Sequence, residues 1–346
     1  MGSAKKFPKW LAITLTIVIG ISLIVGWKVY EIFLGPSVTN NQEYLYINTN
    51  DTYENVLHKV RTMNIVKNVD GFDYVAKAMK YPSSIKAGKY KLKENMSNRE
   101  LIGNLRGGYQ EAVSLRFSNI RLKEDFAGLL GKSFEADSLQ FISILNNEVQ
   151  AQQYGFTLEN FYAMFIPNTY EIYWNTPADK IIERLHNEYK KFWTDQRLQQ
   201  AKEQNLTPIE VSILASIVRG EALHNDEMPK IAGLYLNRLK KGILLQADPT
   251  VIYANNDFTI RRVLNKHLTI DNPYNTYRYK GLPPGPINMA PIVAIDAVLN
   301  PAEHDFIYMC AKEDFSGYHA FAKTMSEHLV NARKFQKALD ERNIKK

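Results

Sequence analysis

The segment that most restricts how this chain can fold is WLAITLTIVIGISLIVGW, Trp10 to Trp27, which contains no charged residue. Wound as a helix it has about the length needed to cross the hydrocarbon of a bilayer, roughly 20 residues at 1.5 Å each. Lys5, Lys6 and Lys9 precede it and only Lys28 follows closely. Basic residues collect on the cytoplasmic side of membrane helices, so residues 1–9 are expected in the cytoplasm and the rest of the chain outside it. A cleaved signal peptide is the competing reading, but the apolar stretch is long for one. Bulky WKVYEIF also stands where a small-residue cleavage site belongs. We therefore read residues 10–34 as an uncleaved single-pass anchor in the cell (inner) membrane, with Trp10, Trp27 and Tyr30 at its interfaces.

The whole chain, 346 residues with 45% hydrophobic and 23% charged content, exceeds one average domain and fits two modest ones. Its formal charge of +7 is spread along the sequence without a dense basic block, so nucleic acid is not an expected partner. A single cysteine, Cys310, excludes an intrachain disulfide, and in the run FIYMCA it reads as a buried strand residue. Residues 35–43, GPSVTNNQE, have the composition of a linker. Residues 44–114 then give a strand, YLYINT, a helix opened by Asp51 with Glu54, and a second helical stretch at GFDYVAKAMK. A strand at AGKYKL follows, then a helix capped by Ser97 and Glu100. The order strand, helix, helix, strand resembles a LysM module, a small fold associated with N-acetylhexosamine glycans of cell walls. A spacer with no sugar site has the same order.

From residue 115 onward the pattern is mainly helical. The clearest helix starts at Thr207 as N-cap, with Pro208 at the first position and Glu210 closing the capping box. In that register Leu214, Ile217 and Val218 share a face with Glu221, whereas Ser212 and Arg219 fall opposite. Glu221 is thus expected to point at the core, in the middle of an apolar stripe. A carboxyl group so placed is costly unless paired, hydrogen-bonded or protonated, and partial burial raises its pKa toward neutrality, as a general acid requires. A buried ion pair explains the same residue. A second helix opens at Pro229, carries Ile231, Leu234, Tyr235 and Leu239 on one stripe and ends at Gly242. Beyond it QADPTVIYA and NPYNTYRYKGLPPGPIN gather tyrosines, amides and hydroxyls of the kind that suit sugar rings, although GLPPG is equally a rigid turn. A short helix lies between Pro291 and Pro301, and HDFIYMCA with YHAFAKT reads as a hairpin before a last helix capped by Thr324 and Glu327. Two Glu-x-x-His pairs, Glu183 with His186 and Glu221 with His224, have the spacing used in di-iron bundles, but the further glutamates such a site needs are not evident.

The runs LASIVRGEA, LNRLKKGILLQADPTVIYA, YNTYRYKGLPPGPI and YHAFAKTMSEH, in this order, resemble the membrane-anchored endolytic murein transglycosylases, the YceG-like or MltG family. That resemblance implies a lyase that cuts nascent peptidoglycan glycan strands internally at MurNAc-GlcNAc bonds. It leaves 1,6-anhydro-MurNAc ends, terminates strand elongation and needs no cofactor or metal. It assigns residues 115–346 to the catalytic domain and aligns Glu221 with the catalytic glutamate. Many members read EKE where this chain reads RGE, so Arg219 stands at the earlier acidic position and Glu221 alone remains of that pair. One carboxyl can serve lytic chemistry. It first gives a proton to the leaving oxygen, and then takes one from the C6 hydroxyl as the ring closes. Asp248 is the candidate second carboxylate, or equally a cap or turn residue before Pro249. Gln246, Asp248, Tyr274, Asn275 and Tyr277 are the expected substrate contacts. The expected architecture is α+β, with the anchor, the LysM-like module and a mainly helical lysozyme-like domain edged by small sheets. Glycan strands and the membrane lipids are the expected partners, and peptidoglycan synthases are implied neighbours. The alternative function is a non-catalytic wall-binding or divisome scaffold.

Overall fold

A computed structural model describes residues 8–39 and 41–342 of the chain. Lys5 and Lys6, on which the expected orientation of the anchor rests, lie outside the described residues. In chain order the elements are α1 (Lys9–Leu34), β1 (Tyr44–Ile47), α2 (Tyr53–Thr62), α3 (Val69–Ala78), β2 (Gly88–Lys91), α4 (Asn98–Gly107) and β3 (Ala112–Arg116). Then come α5 (Lys123–Ser133), α6 (Ser138–Leu145), α7 (Glu148–Gln153), β4 (Thr169–Tyr173), α8 (Ala178–Phe192), α9 (Asp195–Glu203), α10 (Pro208–Glu221) and α11 (Met228–Lys240). The last are α12 (Asp248–Ala254), α13 (Asn265–Leu268), α14 (Ile292–Leu299), β5 (Tyr308–Ala311), β6 (His319–Ala322) and α15 (Met325–Glu341). The fold is therefore mainly helical, with small two-stranded sheets β1-β2, β3-β4 and β5-β6 and one apolar N-terminal helix.

The chain divides into two compact units, one running to Val113 and including Glu171–Thr176, the other made of Ser114–Tyr170 and Pro177 onward. In the first, β1 and β2 pair antiparallel with Leu45 opposite Tyr90, and these residues join Val56, Phe72, Val75, Leu101 and Ile102 in one core. Helix α2 begins one residue later than the sequence predicts. Thr52 caps it, reciprocally with Asn55, while Asp51 accepts from the Asn48 backbone at 2.7 Å and pairs with Lys59. A strand-turn bond and an ion pair thus take the carboxylate that the pattern assigns to the cap.

Helix α1 is long and apolar enough to cross a membrane, and no residue of it is buried in the protein. Its last turn belongs to the small unit. Ile32 and Phe33 pack on the core, and Phe33 meets Tyr74 edge-on at 6.1 Å. Asn98, only 2% exposed, donates to the Ile32 carbonyl at 2.9 Å and accepts from the Ser37 hydroxyl at 2.7 Å. The segment after α1 has a linker's composition but a strand's bonding. Ser37 and Val38 donate to the Met96 carbonyl, Thr39 donates to Ile65, and Lys67 donates back to Ser37. Val38 is buried with the core.

In the larger unit α10 is the central element. It touches α9, α11, α12 and α14, and every residue from Val211 to Val218 is buried. The one-sided stripe expected from its sequence is therefore too narrow: Ser212, opposite Glu221, is also inside, because helices cover α10 all round. The capping box at Thr207 and Glu210 and the Pro at the start are present as read. Gly242 ends the α11 segment with φ of 65°, and its N–H reaches the Leu239 carbonyl. Strands β5 and β6 pair antiparallel, with Cys310 opposite Ala320, and α15 packs on both. Cys310 is only half-buried, because this short sheet is covered incompletely.

Replacing Asn98 by Ala leaves the Ile32 carbonyl and the Ser37 hydroxyl without partners. The expected loss is about 1–3 kcal/mol in urea unfolding of the detergent-solubilised chain. Asn41→Ala, on an exposed bond to the Asn64 carbonyl, serves as the control expected to change little.

Candidate active site

Glu221 is the last residue of α10, not the middle of its stripe. Its position is set by the glycine before it. A β-carbon at Gly220 would lie 2.7 Å from Cβ and 2.9 Å from Cγ of Pro249, so only glycine lets the end of α10 reach the start of α12. One turn earlier, the Ser216 hydroxyl accepts from Ile287 N–H at 3.0 Å, and the Ser216 carbonyl accepts from the Asn288 amide at 2.9 Å. The proline-rich segment after the tyrosine loop is thereby tied to the same helix.

Helix α11 supplies the opposite wall. Tyr235, 1% exposed, donates its hydroxyl to Glu221 Oε1 at 3.0 Å. Three residues on, Arg238 is buried and holds four acceptors. They are the carbonyls of Ile307 at 2.6 Å, Leu244 at 2.8 Å and Leu245 at 3.0 Å, and Gln246 Oε1 at 3.0 Å. That guanidinium fixes the turn carrying Gln246, whose φ of 54° is unusual for a residue with a side chain. Thr276 completes the support by taking the Ala247 N–H on its hydroxyl at 3.0 Å and bonding Thr250 at 2.8 Å.

Asp248 opens α12 but does not cap it. Ala247 stands at the cap position, and the Asp248 carboxylate instead accepts from the Tyr277 hydroxyl at 2.7 Å. Glu221, Tyr235, Arg238, Gln246, Asp248, Tyr277, Cys310 and His319 line one cavity of about 240 Å³. A pocket that encloses a small ligand is usually roughly 300–1,000 Å³, so this one is too small to enclose such a ligand whole. A groove of about 550 Å³ elsewhere on the unit is larger, but its carboxylates Glu203, Glu303 and Asp305 are exposed and unremarkable.

Burial, and after it the neighbouring Asp248 charge, push the Glu221 carboxyl up to about 7 against the Tyr235 hydroxyl and the Asp248 backbone N–H, which pull it down. Its place at a helix C-terminus, where the macrodipole is negative, acts in the raising direction. Burial and the bond to Asp248 raise the Tyr277 phenol far enough to keep it a proton donor. The site thus holds one carboxyl poised between its two states near neutral pH, in a wall that keeps part of its surface open.

Of the expected substrate contacts, Gln246, Asp248 and Tyr277 line this cavity and Tyr274 and Asn275 do not. Asn275 has no exposed surface. Its amide donates to the Leu268 and Ile270 carbonyls at 2.9 and 2.8 Å, and its oxygen takes the Tyr277 N–H at 3.1 Å, so it shapes the loop that presents Tyr277. Tyr274 packs against Tyr253 at 4.7 Å. The two Glu-x-x-His pairs have separate partners. Glu183 bonds Lys180, His186 lies on Tyr154, and His224 stacks on Tyr318 at 4.1 Å and bonds the Ser316 carbonyl. Among the described residues no three His, Cys, Asp or Glu side chains are grouped as a metal ion would need.

The profile of the YceG-like family matches residues 45–334. The chain belongs to the YceG-like family. A similar protein of Bacillus subtilis (strain 168), named endolytic murein transglycosylase, is 29% identical over 300 residues, covering 81% of each chain. One of the same name from Streptococcus pneumoniae serotype 2 (strain D39) is 25% identical over 74% of this chain, which spans 52% of that longer protein. The crystal structure of a YceG-like protein from Listeria monocytogenes superposes with a TM-score of 0.54 at 22% identity, covering 84% of this chain and 99% of that one, a likeness of fold.

Sequence reasoning passed over four residues of this YceG-like site: Tyr235, Arg238, Glu227 and His319. Tyr235 and Arg238 lie three apart on the buried face of α11, and a tyrosine and an arginine in such a stripe carry the same anomaly as Glu221. Glu227 and His319 are far apart in sequence and only the fold joins them.

Two outcomes follow from this geometry. Gly220→Ala is expected to cost about 1–3 kcal/mol in thermal unfolding and to lower activity at least about tenfold by forcing α12 away from Glu221. Because the Glu221 pKa is raised on folding, its stabilising contribution is complete below its unfolded pKa near 4.5 and is lost as pH rises through about 7. Denaturation of Glu221→Gln beside wild type should therefore show the mutant gaining about 1–3 kcal/mol relative to wild type between pH 4.5 and 7, with little further change above.

Proposed function

We infer that this protein is a peptidoglycan lytic transglycosylase that cuts nascent glycan strands internally at MurNAc-GlcNAc bonds, leaves 1,6-anhydro-MurNAc ends and so ends strand growth. The observation that carries this reading is a single carboxyl, Glu221, pushed up to about 7 by burial in a wall of the cavity. The relatives' shared name supports the substrate class. Protonated Glu221 gives its proton to the glycosidic oxygen as positive charge develops on the MurNAc ring, and the C6 hydroxyl of that ring attacks C1. The nucleophile is part of the substrate, so its effective concentration is high and no water needs activation. Burial, seconded by the Asp248 charge, keeps Glu221 protonated, while the Tyr277 hydroxyl occupies one Asp248 oxygen. Gln246, Asp248 and Tyr277 contact the sugars at the cavity, and the loop of Tyr274 and Asn275 supports them.

In this reading α1 crosses the membrane with residues 1–9 in the cytoplasm, and both units lie outside beside the sites of glycan polymerisation, where synthases work. The first unit is LysM-like, with its strand, helix, helix, strand order between β1 and β2, and contributes glycan affinity. The second is a lysozyme-like catalytic domain built on α10.

The deciding experiment is mass spectrometry of uncrosslinked glycan strands treated with wild type and Glu221→Gln. Internal fragments lighter than hydrolysis products by one water are expected from wild type, and a loss of at least about 10²-fold in kcat from the mutant. Wild-type activity is expected to fall as pH rises above about 7, where Glu221 loses its proton. Reducing ends would point to a hydrolase with Asp248 as the second carboxylate. Folded protein that binds strands without cutting them would point to a scaffold.

A further inference from the structure

Ring closure requires an acceptor for the C6 hydroxyl proton, and one residue of the cavity lining, His319, is bonded to a buried carboxylate behind it. Glu227, just before α11, is 6% exposed and receives two hydrogen bonds from one residue of β6. The His319 backbone N–H donates to Oε1 at 2.7 Å, and His319 Nδ1 lies 2.9 Å from Oε2. A carboxylate only accepts, so Nδ1 carries a proton, and the neutral form of the ring has its lone pair on Nε2. Nε2 makes no hydrogen bond to any described residue, and His319, its side chain 15% exposed, is among the residues that line the same cavity as Glu221. Anchoring β6 to α11 explains the backbone bond. It does not explain why a residue that lines the cavity is a histidine with its tautomer fixed by a buried carboxylate and its other nitrogen left unbonded.

Carboxylate, histidine and hydroxyl form the arrangement by which a weak oxygen nucleophile is activated. Here the first two members come from the protein, and a sugar supplies the third. Resting on the lytic reading above, we propose that His319 Nε2 accepts the C6 hydroxyl proton during ring closure, with Glu227 as its positioning residue. Glu221 gives its proton to the departing oxygen as the bond from C1 to that oxygen breaks. The O6–H bond breaks, its electron pair forms the C1–O6 bond, and the proton moves to Nε2. The imidazolium is held by the Glu227 carboxylate until solvent takes its proton and Glu221 regains one. No oxidant, reductant or water is consumed. Donor and acceptor then sit on different side chains, and Glu221 does not have to serve both oxygens.

The test uses the full chain in detergent, uncrosslinked glycan strands and the variants His319→Ala, His319→Gln and Glu227→Gln. Wild type is expected to yield anhydro ends. His319→Ala and His319→Gln are expected to lower kcat by about 10²–10⁴-fold with KM little changed in protein that remains folded though with a lower Tm, because Glu227 Oε2 loses its partner, and Glu227→Gln by a smaller factor. Added imidazole is expected to restore His319→Ala and to leave Glu221→Gln inactive, a response that a merely structural histidine would not give. The assignment is overturned if His319→Ala keeps its kcat, if only KM changes, or if imidazole fails to restore a variant that is still folded. Reducing ends from wild type would sink the lytic reading and this assignment together. Anhydro ends with an indifferent His319→Ala would sink the assignment alone.

Discussion

The contact between Gly220 and Pro249 is the constraint from which the rest of the site follows. Because residue 220 has no side chain, the last turn of α10 and the first turn of α12 approach until Glu221 and Asp248 are neighbours. Each carboxylate then receives one tyrosine hydroxyl, Glu221 from Tyr235 and Asp248 from Tyr277. The two pairings differ in effect, since Glu221 lies in the more buried position and is the group whose proton is retained to near neutral pH. A like charge close by is destabilising in a fold and useful in an acid, and the buried packing of α10 against α11 and α14 is strong enough to hold it.

Much of this was legible in the sequence, for reasons that differ between residues. The start of α10 could be read because capping is local chemistry: Thr207, Pro208 and Glu210 determine the first turn whatever surrounds it. From a fixed start, helical periodicity puts Glu221 on the face of Leu214, Ile217 and Val218, while its seat beside Pro249 comes from the fold. The β5-β6 hairpin and the cap of α15 follow from the same short-range rules.

What the sequence hid depends on tertiary neighbours. The amide of Asn275 looks the same in a sugar site and in a loop brace, and only the carbonyls of Leu268 and Ile270 decide between them. Asp51 lost its capping role to Thr52 because Lys59, about two turns along the helix, is close enough to claim it. Residues 36–39 carry turn-forming types, yet they are ordered by bonds to Ile65 and Met96. Composition reports what a segment does alone, and this segment is not alone.

The Asn98 clasp changes what the N-terminal helix is mechanically. The uncharged run ends at Trp27 and the helix continues to Leu34, a further rise of roughly 10 Å at 1.5 Å per residue. There it is seized by the small unit with no free hinge residue between. A helix joined in this way is a post and not a tether: it transmits tilt and rotation, and it fixes the stand-off of the first unit from whatever layer holds the helix. Inserting residues within 28–34 would therefore turn that unit by about 100° per residue as well as raise it, whereas the same insertion in a flexible leash would do neither.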